Sequence, residues 1–385
     1  MALTPRKPVR LIDIARRANL SRVVVGKVLL GSGSTTRVSD ATARRVRRIA
    51  REMDYRPSLL ARHLGGQRTR TLGAIVGANR YPIYYERLRA IDREANARGF
   101  RMMVSYIHDE QSPDEFLEQL NDMEGRGAEA IILMHNLVTP GAPLKRRLRQ
   151  SRLVVCHTPA VAMPNMSIVT VDLAGGAQML FDHLVQAGRR RIGLLAQATV
   201  RQASSKRAEG FRAAAQRHAP SVAAFQWFSQ TVQDAMTPQS IRPIVEEGLD
   251  ALLAQHVDAI MATNDQWAVQ VIKALLRRGR RVPDDIAVTG VDNIEASTAV
   301  IPELTTLDLE NAQFAREVLD VCDRIEEENW PPADGRRISV TPRLVVREST
   351  LATVSPTPSG RSGCRTAPQP HSPRRPEACG KETGC

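Results

Sequence analysis

No apolar run in this chain of 385 residues approaches the roughly 18–20 residues that a membrane-spanning helix needs. Arg6, Lys7 and Arg10 open the chain, but no apolar stretch follows them. The N-terminus therefore does not read as a secretory signal, and the cytoplasm is the expected compartment. Cysteine is scarce. Cys156 and Cys322 stand alone, and Cys364, Cys379 and Cys385 sit near the end without metal-ligand spacing. No metal is expected. Catalytic signatures are also missing: no Gly-x-Ser-x-Gly elbow, no phosphate-binding Gly-x-x-x-x-Gly-Lys, no His-Glu-x-x-His, no Gly-x-Gly-x-x-Gly. Gly31-Ser32-Gly33-Ser34 is glycine-rich but follows a helical pattern rather than a strand. The chain reads as a non-enzyme without a cofactor.

Acidic residues are missing from one end only. Met1 to Arg70 hold 17 Lys and Arg against 4 Asp and Glu, a balance of +13. The whole chain also sums to +13, so everything after Arg70 is neutral in total. Arginine outnumbers lysine throughout, but a general bias toward Arg does not explain a local lack of acids. A compact basic module on a near-neutral body is an electrostatic footprint for a polyanion, most simply nucleic acid.

The module reads as three helices. Leu11, Ile14, Ala15 and Ala18 share one helical face. Asn19 tolerates the left-handed turn that ends such a helix, and Ser21 suits the start of the next. Val25, Val28 and Leu29 form the buried face of the second helix, three or four residues after the first. That spacing is a helix-turn-helix, whose second helix enters the major groove. Arg22, Val23, Gly26, Lys27 and Leu30 lie off the buried face. Arg22 can reach guanine bidentately and Val23 can touch a thymine methyl, whereas a solvated or phosphate-facing role is open for Arg22 and Lys27. Gly26 either admits close approach to DNA or is merely tolerated. Ser39 caps a third helix with Val46, Ile49, Ala50 and Met53 inward and Arg44, Arg45, Arg47, Arg48 and Arg51 outward. Pro57 ends it. Ser58 to Leu64 forms a short helix that needs a partner to be stable.

After Arg70, near-continuous apolar runs alternate with helical patterns. They fall at 72–76, 101–106, 130–134, 153–156, 168–171, 191–195, 223–228, 259–262 and 286–291. Such alternation predicts two parallel sheets of five or six strands with helices on both faces, and a ligand cleft at the strands' carboxyl ends. Residues 351–385 are rich in Pro, Ser, Thr and Gly and predict disorder.

The order Leu11-Ile12-Asp13-Ile14-Ala15, Val28-Leu29, Val38-Ser39-Asp40-Ala41-Thr42, Tyr55-Arg56-Pro57 and Ala61-Arg62-His63-Leu64 resembles the LacI/GalR transcription regulators. The resemblance spans about residues 9–350. It implies a helix-turn-helix domain at 1–56, a hinge helix and linker at 57–70, and a two-lobed periplasmic-binding-protein-like domain at 71–350 for effector binding and dimerisation. The tail is 351–385. It further implies that Leu64 of paired hinges wedges into the minor groove. Ser21, Arg22, Val23, Gly26, Lys27, Tyr55, Ser58, Ala61 and Leu64 are the implied DNA contacts. Tyr81, Tyr84, His157, Arg207, Asn264, Trp267 and Asp292 are the implied effector contacts. His157 stands where the family often has Asp. Trp267 either stacks on a sugar or fills the core, and Asn264 and Asp292 either bind ligand or fix turns. Where the family usually reads Thr-Val-Ser-Arg, this chain has Val24-Val25-Gly26-Lys27.

The expected protein is a homodimeric regulator, a repressor by class, on a pseudo-palindromic double-stranded operator. A small sugar-like molecule between the lobes modulates it, and no membrane is involved. The losses at Val24 and Gly26 motivate an alternative: a small-molecule binding protein whose basic module no longer reads sequence.

Overall fold

The computed structural model describes residues 9–30, 37–55, 68–77, 82–107, 112–134, 142–156, 166–197, 202–229, 237–327 and 335–351. The hinge positions Ser58, Ala61 and Leu64, the cleft positions Tyr81 and His157, and the tail from Ala352 lie outside them.

Three helices open the chain: α1 (Leu11–Ala18), α2 (Arg22–Leu30) and α3 (Asp40–Glu52). Asn19 ends α1 in the left-handed region at φ 50°. The Ser21 hydroxyl accepts from the Val24 amide at 3.3 Å, and the Ser39 hydroxyl accepts from the Thr42 amide at 3.3 Å. Each satisfies an amide that the helix start leaves without an intrahelical partner. Ile14, Ala15, Ala18, Val25, Val46, Ile49 and Ala50 pack together as the unit's core. Two expectations fail on α2. Gly26 and Leu30, read as lying off the buried face, are buried, while Val28 and Leu29, partly covered, pack against the unit's core as expected. Gly26 is one step from Val25 and four from Leu30, so these three share the packed side. Arg22 lies four residues before Gly26 and so shares its side of α2, exposed at the helix start where Gly26 is covered.

The body follows as β1 (Thr71–Gly77), α4 (Pro82–Ala97), β2 (Arg101–Ile107), α5 (Pro113–Gly125), β3 (Ala130–Met134), α6 (Ala142–Gln150), β4 (Leu153–Val155) and β5 (Ser167–Val171). Next come α7 (Leu173–Gln186), β6 (Arg191–Ala196), α8 (Gln202–His218), β7 (Ala223–Phe228), α9 (Pro238–Leu253), β8 (Ala259–Ala262), α10 (Asp265–Arg277) and β9 (Ala287–Thr289). The chain closes with α11 (Ala296–Ala299), β10 (Thr306–Asp308), α12 (Asn311–Glu327), β11 (Arg337–Val340) and β12 (Arg343–Val345).

The first lobe is a six-stranded parallel sheet in the order β11-β5-β4-β3-β1-β2. Alternation along β1 sends Leu72, Ala74 and Val76 to the face covered by α4 and α12, and Ile75 to the face covered by α5 and α6. The second lobe is a parallel sheet in the order β7-β6-β8-β9, with α7 and α8 on one face and α9 and α10 on the other.

That second sheet has four strands among the described residues, where the sequence pattern predicts five or six. Its β9 edge is finished without another strand. The Val288 amide donates to Ser349 O at 3.0 Å, the Ser349 hydroxyl donates back to Val288 O at 2.6 Å, and only one bridge joins Thr289 to Thr305. β10 and β12 pair with each other instead, as an antiparallel ribbon at the crossing between lobes.

The linker into β1 is fastened to the first lobe. The Glu129 carboxylate accepts from the Arg70 amide at 2.8 Å, the Thr69 hydroxyl at 3.1 Å and Arg68 Nη2 at 3.2 Å. Among the described residues no helix is long and apolar enough to cross a membrane.

Candidate functional site

Two surfaces carry the chemistry. On the three-helix unit, Ser21, Arg22 and Val23 are exposed at the start of α2, and Val23 is 58% accessible despite being apolar. Arg44, Arg45, Arg47, Arg48 and Arg51 are exposed along α3. Lys27 is half-buried. Tyr55 packs against the unit's core, and burial pushes its hydroxyl pKa up.

The second surface lies at the carboxyl ends of the strands in both lobes. Arg207 sits on α8, one turn before Gly210 and Phe211. A Cβ on Gly210 would come 2.0 Å from the Ala174 carbonyl oxygen, so glycine lets α8 lie directly on α7. Phe211 locks that contact edge-on against Phe181, with ring centroids 5.2 Å apart. Four residues before Phe211, Arg207 shares its side of the helix and meets Asp292 just after β9. Its Nη2 is 3.8 Å from Asp292 Oδ1, and its Nε is buried without an acceptor among the described residues.

Asp292 is held by a strained turn. It has φ 114°, and Asn293 follows with φ 51°, both in the region L-residues rarely adopt. Arg347 Nη2 donates to Asn293 Oδ1 at 2.7 Å, and Asn293 Nδ2 donates to Asp308 at 3.0 Å. Burial raises the Asp292 carboxyl to about 6, although Arg207 and Arg87 both pull it down.

Asp265 completes this turn and was not anticipated as a site residue. It is wholly buried, accepts from the Ile294 amide at 3.0 Å and from the Thr306 hydroxyl at 2.5 Å, and its own amide donates to Val291 O. Burial and the nearby Asp292 hold its pKa well above the usual carboxylate range. A Cβ at Gly290 would fall 2.2 Å from Asp265 Oδ1, so only glycine fits there.

Asn264 and Trp267 take the structural alternatives left open for them. Asn264 Oδ1 accepts from the Trp267 amide at 3.0 Å and caps α10, which commits its oxygen to the helix. Trp267 is 0% exposed inside the second lobe's core, so its indole has no open face for stacking. Tyr84, on α4, packs against the cores of both lobes.

Arg87 is the other residue the sequence pattern did not single out. It lies on α4 in the buried series Ile83, Arg87, Ile91 and Ala95, a cation in the middle of an apolar i, i+4 stripe. That interruption is the signal that could have found it. Arg87 Nε donates to Asn311 Oδ1 at 3.3 Å, and its guanidinium lies 4.2 Å from the centroid of Phe314.

Comparison with known proteins places both surfaces in one setting. Residues 10–58 match the profile of bacterial regulatory proteins of the lacI family, and residues 181–350 match a periplasmic binding protein-like domain. The chain is 24% identical over 341 residues to the HTH-type transcriptional repressor PurR of Haemophilus influenzae (strain PittEE), covering 88% of this chain and 97% of that protein. It is 27% identical over 338 residues to the ribose operon repressor of Escherichia coli K12, covering 88% and 98%.

The chain belongs to the LacI/GalR family of transcription regulators.

A solved structure of the lac repressor dimer bound to operator and the anti-inducer ONPF has the same fold. Its TM-score is 0.75 at 21% identity, covering 90% of this chain and 100% of that one. Within this LacI/GalR regulator, the helix-turn-helix is the DNA-binding unit, and the two lobes form the periplasmic-binding-protein-like core.

Proposed function

We propose that this chain is a homodimeric repressor that binds a pseudo-palindromic operator and is controlled by a small sugar-like effector between its lobes. The observation that carries the DNA half is the start of α2. There a serine-capped helix presents exposed Arg22 and Val23, a bidentate donor beside an apolar contact. Leu64, by resemblance to the family, wedges the operator's centre.

The effector half rests on Arg207 on α8 and Asp292 just after β9, a donor and an acceptor 3.8 Å apart. The ribose operon repressor, a relative over nearly the full length, supports a sugar by its name. Dimerisation is supported by β2, an edge strand that exposes Val104 and Tyr106 at 41% and 45%. The effector acts by binding one lobe arrangement better than the other. The cytoplasm is the compartment in which such a regulator meets its operator.

The test is binding to the DNA upstream of its own gene and to random duplex, across a salt series. Specific binding should exceed random binding by about a thousandfold or more at physiological salt. Leu64→Ala should weaken the specific complex and leave the random one nearly unchanged. Equal affinity for both duplexes would refute sequence reading.

A further inference from the structure

Arg87 is a charge without a countercharge. It is 9% exposed, and among the described residues no carboxylate lies within ion-pair distance of it. Its contacts are the Asn311 amide oxygen and the Phe314 ring face, both neutral. An amide and a ring only partly replace water around a guanidinium. Arginine does not escape the problem by losing its proton, because its pKa is too high.

The group facing it makes matters worse. The Arg207 charge acts on Arg87 from the second lobe, and Arg207 Nε also lacks an acceptor. Asp292 stands 3.8 Å from Arg207, and its charge also acts on Arg87. Glu86 opposes ionisation of Asp292, but it is balanced by Arg89 and set among Asp308 and Glu295. Tyr84 and Cys156 are the other titratable neighbours of Arg87. Burial pushes the Cys156 thiol up to about 12, so it supplies no negative charge at neutral pH. Among the described residues, Asp292 is thus the one carboxylate within ion-pair distance of Arg207, and none is that close to Arg87.

We propose that the effector is an anion: a hydroxylated small molecule whose carboxylate or phosphate bridges Arg87 of the first lobe and Arg207 of the second. This rests on the cleft being the effector site. A guanidinium fork matches either oxyanion bidentately, and two forks from two lobes hold it from opposite sides. Asp292 repels the anion and accepts from the ligand's hydroxyls, which fixes its orientation. Without the anion, approach of the lobes sets like charges against each other. With it, the same approach is favoured, which is the differential binding a switch requires.

Calorimetry on the full chain tests this at constant ionic strength, with inorganic phosphate and acetate as minimal probes. D-glucose, D-gluconate and D-glucose 6-phosphate form a matched set. At least one minimal anion should bind saturably, and Arg87→Met should weaken it by about tenfold or more. Arg87→Lys, which keeps the charge but not the bidentate fork, should bind more weakly than the wild type and more tightly than Arg87→Met. If Arg87→Met does not fold, Arg87→Lys and Arg207→Gln carry the comparison, the second being the weaker. Gluconate against glucose 6-phosphate separates a carboxylate from a phosphate source, and either should exceed glucose. The proposal is overturned if both minimal anions fail to bind at tens of millimolar, or if Arg87→Met binds them as well as the wild type. Operator binding measured alongside separates the two readings. Anion binding that leaves DNA affinity unmoved refutes the effector role and keeps the anion site. DNA affinity that responds to glucose alone refutes the anion and keeps the effector role.

Discussion

The three-helix unit and the two-lobed body use arginine in opposite ways. In the unit, the nearest ion pairs are loose: Arg10–Asp13 at 3.9 Å, Arg17–Glu52 at 3.9 Å and Arg48–Glu52 at 3.8 Å. Arg44, Arg45, Arg47 and Arg51 have no carboxylate within that distance among the described residues, and all are exposed. In the body many pairs are tight, such as Arg98–Asp323 at 2.8 Å, Arg217–Asp182 at 2.9 Å and Arg278–Asp250 at 2.7 Å, beside looser ones such as Arg242–Glu246 at 3.9 Å and Arg207–Asp292 at 3.8 Å. Cations held by their own chain are spent on packing. Cations left facing water are available to phosphates, and they release counterions when DNA arrives. Arg87 breaks the body's habit, which is why it stands out as a ligand group.

The comparison can be tested where a charge is buried, where it reads DNA and where it is merely paired. The largest effect is expected at Asp292. Its folded pKa, about 6, lies above the 3.8 of the free side chain, so the folded state holds the extra proton between those values. Stability from this group is full below about pH 4 and is lost as pH rises through 6. Urea unfolding of wild type and Asp292→Asn should show the wild type losing about 2–3 kcal/mol relative to the variant between pH 4 and pH 7. A constant difference would mean that Asp292 is ionised throughout.

Arg22→Ala should cost about 1–3 kcal/mol and relax preference at one base position, read by binding to single-substituted operators. A uniform loss over all sequences would make Arg22 a phosphate contact. Arg47→Ala should lower the slope of log affinity against log salt by about 0.9 and leave base preference intact. No change in slope would detach α3 from the DNA. In the body, Arg217→Ala should change stability by about 0.5 kcal/mol or less, because the pair is half-exposed. A much larger loss would show that body pairs do more than occupy their cations.

Local signals were the legible ones. The helix-turn-helix could be read because Asn19, Ser21 and Ser39 cap their helices through neighbours three or four residues away. Arg207 was named through the family resemblance of the segment that Gly210 and Phe211 close, and its role stays a proposal. The strands could be read from their apolar runs except β10 and β12, which pair at the crossing, and β11, whose Arg337-Ile338-Ser339-Val340 is no apolar run. Asp265 escaped because its partners, Ile294 and Thr306, lie 29 and 41 residues on. Trp267 was ambiguous because periodicity does not distinguish a cleft wall from a core wall. Gly26 was read as exposed because it lies one turn after Arg22, and its burial is not visible in the spacing. Arg87 was passed over because its apolar stripe looked complete without it.

Glu129 has a mechanical consequence. By gripping Arg68, Thr69 and the Arg70 amide, it makes the amino end of β1 a fulcrum with no slack on its outer side. The first lobe then becomes the lever that carries torque toward the DNA. The second lobe is the handle, joined to that lever only where β5 runs into α7, β10 into α12 and β11 into β12. On the proposed function, a ligand that turned the handle would act on the operator-binding unit through this anchored start of β1. Cutting that anchor with Glu129→Ala should uncouple the motion without touching either end.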